Sequence, residues 1–275
     1  MMNMKKYGLI GYPIAHSMSP ALFKAAYGGA YPYELIEEAD FDAAYQKFLE
    51  EYDAINVTSP FKEVACAKAD ILSAECEYIG ACNVLKKTEE GVFATNTDYL
   101  GVMKNLIQHQ VMGLKPLTVV VGCGGAGKAA AYAACELGHE VVILNRTLER
   151  AVEFVDKLRS MESGYSVSAG PLSAFKKCFQ AAGTIIYTVP EFLPEIKSLR
   201  KCELRGGVFR SHPKVILEAN YRNPAFTAEI LAHHVSINPK ITYVSGLEWL
   251  LDQAVEAYGI FTGKEPNIQE MIKVL

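Results

Sequence analysis

The chain lacks the features that direct a protein to a membrane, to nucleic acid or to a structural metal. No run approaches the roughly twenty apolar residues of a spanning helix. The first residues, Met-Met-Asn-Met-Lys-Lys, lead straight into the strand-like Tyr7-Gly8-Leu9-Ile10-Gly11 with no apolar signal region. Positive charge is not in excess: 27 Lys and Arg face 31 Asp and Glu, a net charge of −4. A broad basic surface for phosphate backbones or anionic lipid is therefore excluded. The seven cysteines include no C-x-x-C pair and no Cys/His cluster at zinc spacing, and most fall in apolar runs. No internal repeat or low-complexity segment occurs. These absences predict a soluble, cytoplasmic protein with reduced thiols, no metal, and neither nucleic acid nor membrane as partner.

What is present is an ordinary globular composition in 275 residues, half of them hydrophobic, a length for about two domains. Short β-like runs at 7–11, 33–36, 53–57, 81–86 and 91–95 alternate with helical patterns. Between the second and third, Phe41, Ala44, Tyr45, Phe48, Leu49 and Tyr52 form an amphipathic helical stripe over 40–52, which is core packing. A helix is predicted over Asp98 to Gln108. Gly113-Leu114-Lys115-Pro116 reads as a turn, after which a second series starts at 117–121, with further strands at 140–144, 184–188 and 214–219. A last helix over 247–262 is expected to bury Leu247, Leu250, Leu251, Ala254 and Tyr258 and to expose Glu248, Asp252 and Glu256. Alternating strands and helices imply an α/β fold with largely parallel sheets.

Two segments carry chemistry. Asn56-Val57-Thr58-Ser59-Pro60-Phe61-Lys62 follows a buried strand and leads into a helix, with Pro60 suited to its first turn. Lys62 stands there among apolar and turn residues. The segment by itself leaves it open between a solvated helix lysine and a proton carrier. Gly122-Cys123-Gly124-Gly125-Ala126-Gly127 fits G-x-G-x-x-G, directly after an apolar strand and before an alanine-rich helix over 128–137. In that context glycines allow a tight turn, and the helix N-terminus offers free N–H groups to a pyrophosphate. The strand from Glu140 to Leu144 ends in Asn145-Arg146-Thr147, with Arg150 one turn on, and carries no acid for a ribose 2′-hydroxyl. Two arginines suit a 2′-phosphate instead, so NADP is expected rather than NAD.

Six ordered motifs between about residues 7 and 263 resemble the shikimate dehydrogenase family. They are Gly11-Tyr12-Pro13-Ile14-Ala15-His16-Ser17-Met18-Ser19-Pro20, the segment from Asn56 to Lys62, Gly80-Ala81-Cys82-Asn83, Asn96-Thr97-Asp98-Tyr99-Leu100-Gly101, the glycine loop with Asn145-Arg146-Thr147, and Gly246-Leu247-Glu248-Trp249-Leu250-Leu251-Asp252-Gln253-Ala254. The resemblance implies two α/β domains with the active site in the cleft separating them. A substrate-binding domain would take 1–101 and 243–275, and a Rossmann NADP-binding domain 102–242. It implies Lys62 and Asp98 as the catalytic pair, although Asp98 opening a helix also reads as an N-cap. Ser17 and Ser19 would bind the substrate carboxylate, or serve as a turn pair before the helix. Thr58, Asn83 and Gln253 would hydrogen-bond ring hydroxyls, and Tyr221 would add a carboxylate contact. Gly122, Gly124, Gly125, Ala126, Gly127, Asn145, Arg146, Thr147, Arg150 and Gly246 would hold the cofactor, while His16 is read as a structural residue of its loop.

The chain departs from the family pattern at Tyr187-Thr188-Val189-Pro190-Glu191-Phe192, where N-A-T-x-x-G-M is usual. It also departs at Val84, at Phe23-Lys24, and at Glu218 in D-x-x-Y. The function implied is NADP-dependent interconversion of 3-dehydroshikimate and shikimate in aromatic amino-acid biosynthesis, by a monomer or homodimer with a small-molecule substrate. The alternatives are a shikimate/quinate dehydrogenase-like paralogue using another substrate or NAD, and a catalytically silent dinucleotide sensor, against which the presence of both Lys62 and Asp98 argues.

Overall fold

The computed structural model describes residues 5–109, 117–206 and 211–275; the turn expected at Gly113 to Pro116 lies outside them. The chain divides into two compact units, one running to Gly101 and resuming over Leu250–Leu275, the other comprising Val102–Trp249.

The first unit is built on β1 (Tyr7–Gly11), α1 (Ser19–Tyr27), β2 (Tyr33–Glu37), α2 (Phe41–Glu51), β3 (Ala54–Val57), α3 (Lys62–Lys68), β4 (Ile71–Leu72), α4 (Ala74–Ile79), β5 (Val84–Thr88) and β6 (Gly91–Thr95). Its sheet has the order β2-β1-β3-β5-β6-β4. β1 pairs in parallel with β2 and β3, and β4 with β6, whereas β5 runs antiparallel to both β3 and β6. The sheet is thus more mixed than expected, because β5 and β6 form a hairpin across Glu89 and Glu90 instead of being joined by a helix. β5 also starts three residues later than the predicted 81, since Gly80 terminates α4 in the left-handed conformation and the chain must unwind before it can extend.

α5 (Asp98–Gln108) begins in the first unit and continues into the second. There follow β7 (Leu117–Val121), α6 (Gly125–Glu136), β8 (Glu140–Asn145), α7 (Leu148–Met161), β9 (Val167–Pro171), α8 (Phe175–Ala181), β10 (Thr184–Tyr187), α9 (Lys201–Arg205), β11 (Lys214–Glu218), α10 (Ala228–Ile237) and β12 (Ile241–Ser245). Every pairing is parallel, in the order β12-β11-β10-β7-β8-β9. This is the doubly wound Rossmann arrangement, with its switch point between β7 and β10. α11 (Gly246–Thr262) carries the chain back and α12 (Ile268–Ile272) ends it. The return to the first unit, expected at 243, comes at Leu250, because β12 is an edge strand of the second sheet, paired with β11.

Alternation along the strands gives the first unit a core on each face of its sheet. On one, Ile10, Ile36, Ile55 and Val57 pack with Phe41, Ala44, Tyr45 and Phe48 of α2, the predicted stripe. On the other, Tyr7, Ala54 and Val84 meet Leu22, Phe23 and Ala26 of α1 and Ala254, Tyr258 and Phe261 of α11. Asp252, expected on the outer face of α11, is buried, while Leu247, Leu250 and Leu251 are only partly buried. A helix packed on more than one side has no clean solvent face, so a wheel drawn from its apolar residues misplaces the acid.

Candidate active site

Lys62 is the first residue of α3 and Asp98 the first of α5, each delivered by the strand before it. After β3 the chain turns through Thr58-Ser59-Pro60-Phe61, closed by a hydrogen bond from the Phe61 N–H to the Thr58 carbonyl at 3.0 Å, with a cis Ser59–Pro60 bond. Pro60 therefore belongs to this turn and not to the helix's first turn, where it was expected. After β6, the Asn96 side-chain oxygen accepts hydrogen bonds from the Asp98 N–H at 3.0 Å and the Tyr99 N–H at 3.4 Å. Asn96 thus caps α5, the role that was the alternative for Asp98. The Asp98 carboxylate is left to pair with the Lys62 ammonium, 36 positions away in sequence. The two side chains are 15% and 9% exposed, so the pair is held in a largely desolvated position with an open end. A carboxylate at a helix N-terminus is itself favourable, which helps fix Asp98 as the anchor of the pair.

Beside the pair lies a polar network. The Asn83 amide nitrogen donates to Thr97 Oγ1 at 2.9 Å and to Gln253 Oε1 at 3.1 Å, and its oxygen accepts from the Thr97 N–H at 2.7 Å. Gln253 donates in turn to the Leu250 carbonyl at 3.0 Å. The backbone of Cys82 donates to the Lys62 carbonyl at 2.9 Å, which ties the Asn83 loop to the start of α3. The half-buried Thr58 hydroxyl has no hydrogen-bond partner among the described residues. Ser17 Oγ accepts from the Ser19 N–H and donates to Ser19 Oγ, both at 3.2 Å. The serine pair thus does build the turn entering α1, while Tyr258 donates to the Ser19 carbonyl at 3.1 Å and fixes that turn on α11. His16 is exposed and makes no hydrogen bond among the described residues, so it does not hold its loop as expected.

In the second unit the glycine loop joins β7 to α6. α6 starts at Gly125, three residues before the predicted 128, because the Lys128 N–H already reaches the Gly124 carbonyl at 2.9 Å. Gly125, Ala126 and Gly127 are its first turn, whose N–H groups no side chain caps. Gly122 has φ +108°, and a Cβ on Gly127 would lie 2.2 Å from the Gly122 carbonyl oxygen. A Cβ on Gly124 would meet open space. The loop therefore packs tightly inward and stays open outward, which fits a dinucleotide pyrophosphate. The Asn145 side chain accepts from the Cys123 N–H at 3.2 Å and donates to the Thr147 carbonyl at 2.8 Å, joining this loop to the end of β8. Arg146, Thr147 and Arg150 are exposed there. Gly246 starts α11 where a Cβ would lie 2.4 Å from the Ala219 carbonyl oxygen. Tyr221 follows β11 in the same unit, half-buried. Its loop is anchored by the buried Glu218 carboxylate, which accepts from the N–H groups of Ala225 and Phe226 and from the Tyr243 hydroxyl at 3.1 Å. Burial pushes the Glu218 carboxyl above its ordinary pKa.

Several residues that organise these sites escaped the sequence reading. Thr97 stands inside the Asn-Thr-Asp motif and is fully buried in the Asn83–Gln253 network. Asn96 carried a legible signal, a capping side chain just before a helix. Glu75 accepts from Thr95 Oγ1 at 2.5 Å and from the Asn96 N–H at 3.3 Å, bracing the end of β6, and nothing in its spacing announces this. Glu191 in the divergent loop lies 3.9 Å from Arg146.

A doubly wound parallel unit with an open glycine loop, in one chain with an α/β unit bearing a lysine–aspartate pair, is the architecture of two-domain dinucleotide-dependent dehydrogenases. The family described as the shikimate dehydrogenase substrate binding domain matches residues 9–85. A shikimate dehydrogenase (NADP(+)) of Methanosarcina barkeri is 30% identical over 290 residues, covering 98% of this chain and 96% of that protein. Among solved structures, the shikimate dehydrogenase of Mycobacterium tuberculosis is 29% identical with a TM-score of 0.78, covering 98% of both chains. That of Thermus thermophilus, in complex with NADP(H) and shikimate, is 26% identical with a TM-score of 0.77 and the same coverage. The chain belongs to the shikimate dehydrogenase family.

Proposed function

We propose that the protein catalyses the NADP-dependent, reversible reduction of 3-dehydroshikimate to shikimate, a step toward chorismate and the aromatic amino acids. The observation that carries this reading is the Lys62–Asp98 pair, assembled from two helix starts beside a neutral polar network. When bound, NADP accepts or returns the hydride. Lys62 takes the hydroxyl proton during oxidation and gives one to the carbonyl oxygen during reduction. Asp98 keeps the lysine oriented and accepts a hydrogen bond from the substrate. The Ser17 and Ser19 hydroxyls, with Tyr221, bind the ring carboxylate. Thr58, Asn83 and Gln253 bind the ring hydroxyls, since such neutral groups match a polyol's donors and acceptors. Gly122, Gly124, Gly125, Ala126 and Gly127 cradle the pyrophosphate, Asn145, Arg146, Thr147 and Arg150 line the 2′-phosphate end, and Gly246 borders the nicotinamide end. The substrate domain in this reading takes residues to Gly101 and the chain's last helices, the Rossmann domain the residues between.

Among the described residues no helix is long and apolar enough to cross a membrane and no Cys/His/Asp/Glu group could hold a metal ion. All seven cysteines are free, which supports a cytoplasmic enzyme, acting as a monomer or homodimer. The test is an assay of shikimate and quinate, each with NADP and NAD. The highest kcat/KM is expected for shikimate with NADP, and negligible turnover of shikimate would sink the reading. Preferential quinate turnover would establish the paralogue instead.

A further inference from the structure

β8 ends without the acid that hydrogen-bonds a ribose 2′-hydroxyl in NAD-binding folds. An acid nevertheless reaches that place from another strand. β10 lies beside β7 on the side opposite β8, so the segment leaving β10 emerges next to the glycine loop. Thr188 fastens it there, donating to the Val121 carbonyl at 2.8 Å and packing where side chains on Gly122 or Gly127 would stand. The buried Tyr187 then turns its hydroxyl onto the Glu191 carbonyl at 2.5 Å and pins that residue's backbone. From this fixed point the Glu191 carboxylate extends to 3.9 Å from the Arg146 guanidinium. The two side chains are 63% and 84% exposed, so neither is committed to the core and an incoming anion can contest the pair.

Resting on the cofactor site proposed above, we infer that Glu191 is a specificity determinant that narrows the preference for NADP over NAD. It supplies from the β10 loop the acid missing at the end of β8. A 2′-phosphate carries close to two negative charges at neutral pH. Seated on Arg146 it must take the guanidinium from Glu191 and then lie within a few ångströms of that carboxylate. A 2′-hydroxyl meets no such repulsion and offers the carboxylate a hydrogen bond. The same side chain therefore weakens one dinucleotide and favours the other. In an exposed setting the effect is modest, about three- to tenfold in affinity, and it is screened by salt.

The test is calorimetric binding of NADP, NAD, adenosine 2′,5′-bisphosphate and 5′-AMP to the wild type, Glu191→Gln, Glu191→Asp and Glu191→Gln in an Arg146→Ala background. Glu191→Gln is expected to tighten NADP and the bisphosphate about three- to tenfold and to leave both NAD and 5′-AMP unchanged or weaker. Glu191→Asp is expected to resemble the wild type. The gain should shrink at about 0.5 M salt and vanish without Arg146. Equal tightening of NAD and NADP, or no change in either, would overturn the role of Glu191 while leaving the cofactor reading intact. Failure of the wild type to bind either dinucleotide would overturn both.

Discussion

The role proposed for Lys62 as a proton carrier depends on what surrounds it, and each neighbour is identifiable. The turn at Thr58 to Phe61 puts it first in its helix, and Asn96 frees Asp98 from capping so that its carboxylate meets the ammonium. Lys62→Ala is expected to lower kcat by about 10²–10⁴. Because the proposed function assigns the substrate's carboxylate and hydroxyls to other residues, KM for shikimate should change far less. Steady-state kinetics check this, and a variant with full turnover would overturn the proton-carrying role proposed for Lys62. Local spacing showed Lys62 as a candidate, while its pairing with Asp98 was implied only by the family resemblance, because no local pattern relates residues 36 positions apart.

Among the elements, the glycine loop and α1 illustrate two ways in which sequence becomes rigid structure. At Gly127 the helix start presses on the preceding loop so closely that a methyl group would overlap the Gly122 carbonyl. Gly127→Ala should therefore shift the loop, weaken NADP binding at least about tenfold, and cost roughly 1–3 kcal/mol of stability. Calorimetry with NADP and a denaturant melt separate the two effects. α1 is held by Phe23, which lies fully buried with ring centroids 4.8 Å from Tyr258 and 5.4 Å from Tyr7. Phe23→Ala is expected to cost about 3–5 kcal/mol, seen as a lower denaturant midpoint with unchanged slope. Strand and helix positions of this kind were legible from periodicity. The β5–β6 hairpin was not, since Glu89-Glu90 lacks the usual turn residues, and neither was the burial of Asp252.

For the whole molecule, buried titratable groups set how stability follows pH. His139 bonds Thr118 at 2.8 Å and His234 bonds the Ile196 carbonyl at 3.1 Å, and burial lowers both below the ordinary 6.5. In the unfolded chain they take protons near 6.5, so their stabilising effect is complete above that pH and is lost as pH falls below it. The loss is at most about 1.4 kcal/mol per pH unit for each histidine. Lys214 donates to the carbonyls of Phe179, Gln180 and Ala182, and burial brings its pKa down to about 8. Between about 8 and the unfolded 10.5 the unfolded chain binds more protons, so this lysine makes stability rise with pH. Denaturant unfolding across pH 5–10 should show the acid loss in the wild type. The wild type should also gain stability relative to Lys214→Met above about pH 8. A difference between the two that is flat with pH would contradict the Lys214 assignment.

The sequence by itself determined the α/β class, the glycine loop, the absence of an acid after β8 and the identity of the polar residues available for chemistry. These are properties of local spacing and residue type, which periodicity and turn chemistry record directly. The tertiary structure decided which of those residues meet. It joined Lys62 to Asp98, put Thr97 between Asn83 and Gln253, and carried Glu191 over the glycine loop to Arg146. Each of these follows from strand order and close packing, which bring distant positions within reach of one another in ways that no single stretch of chain encodes.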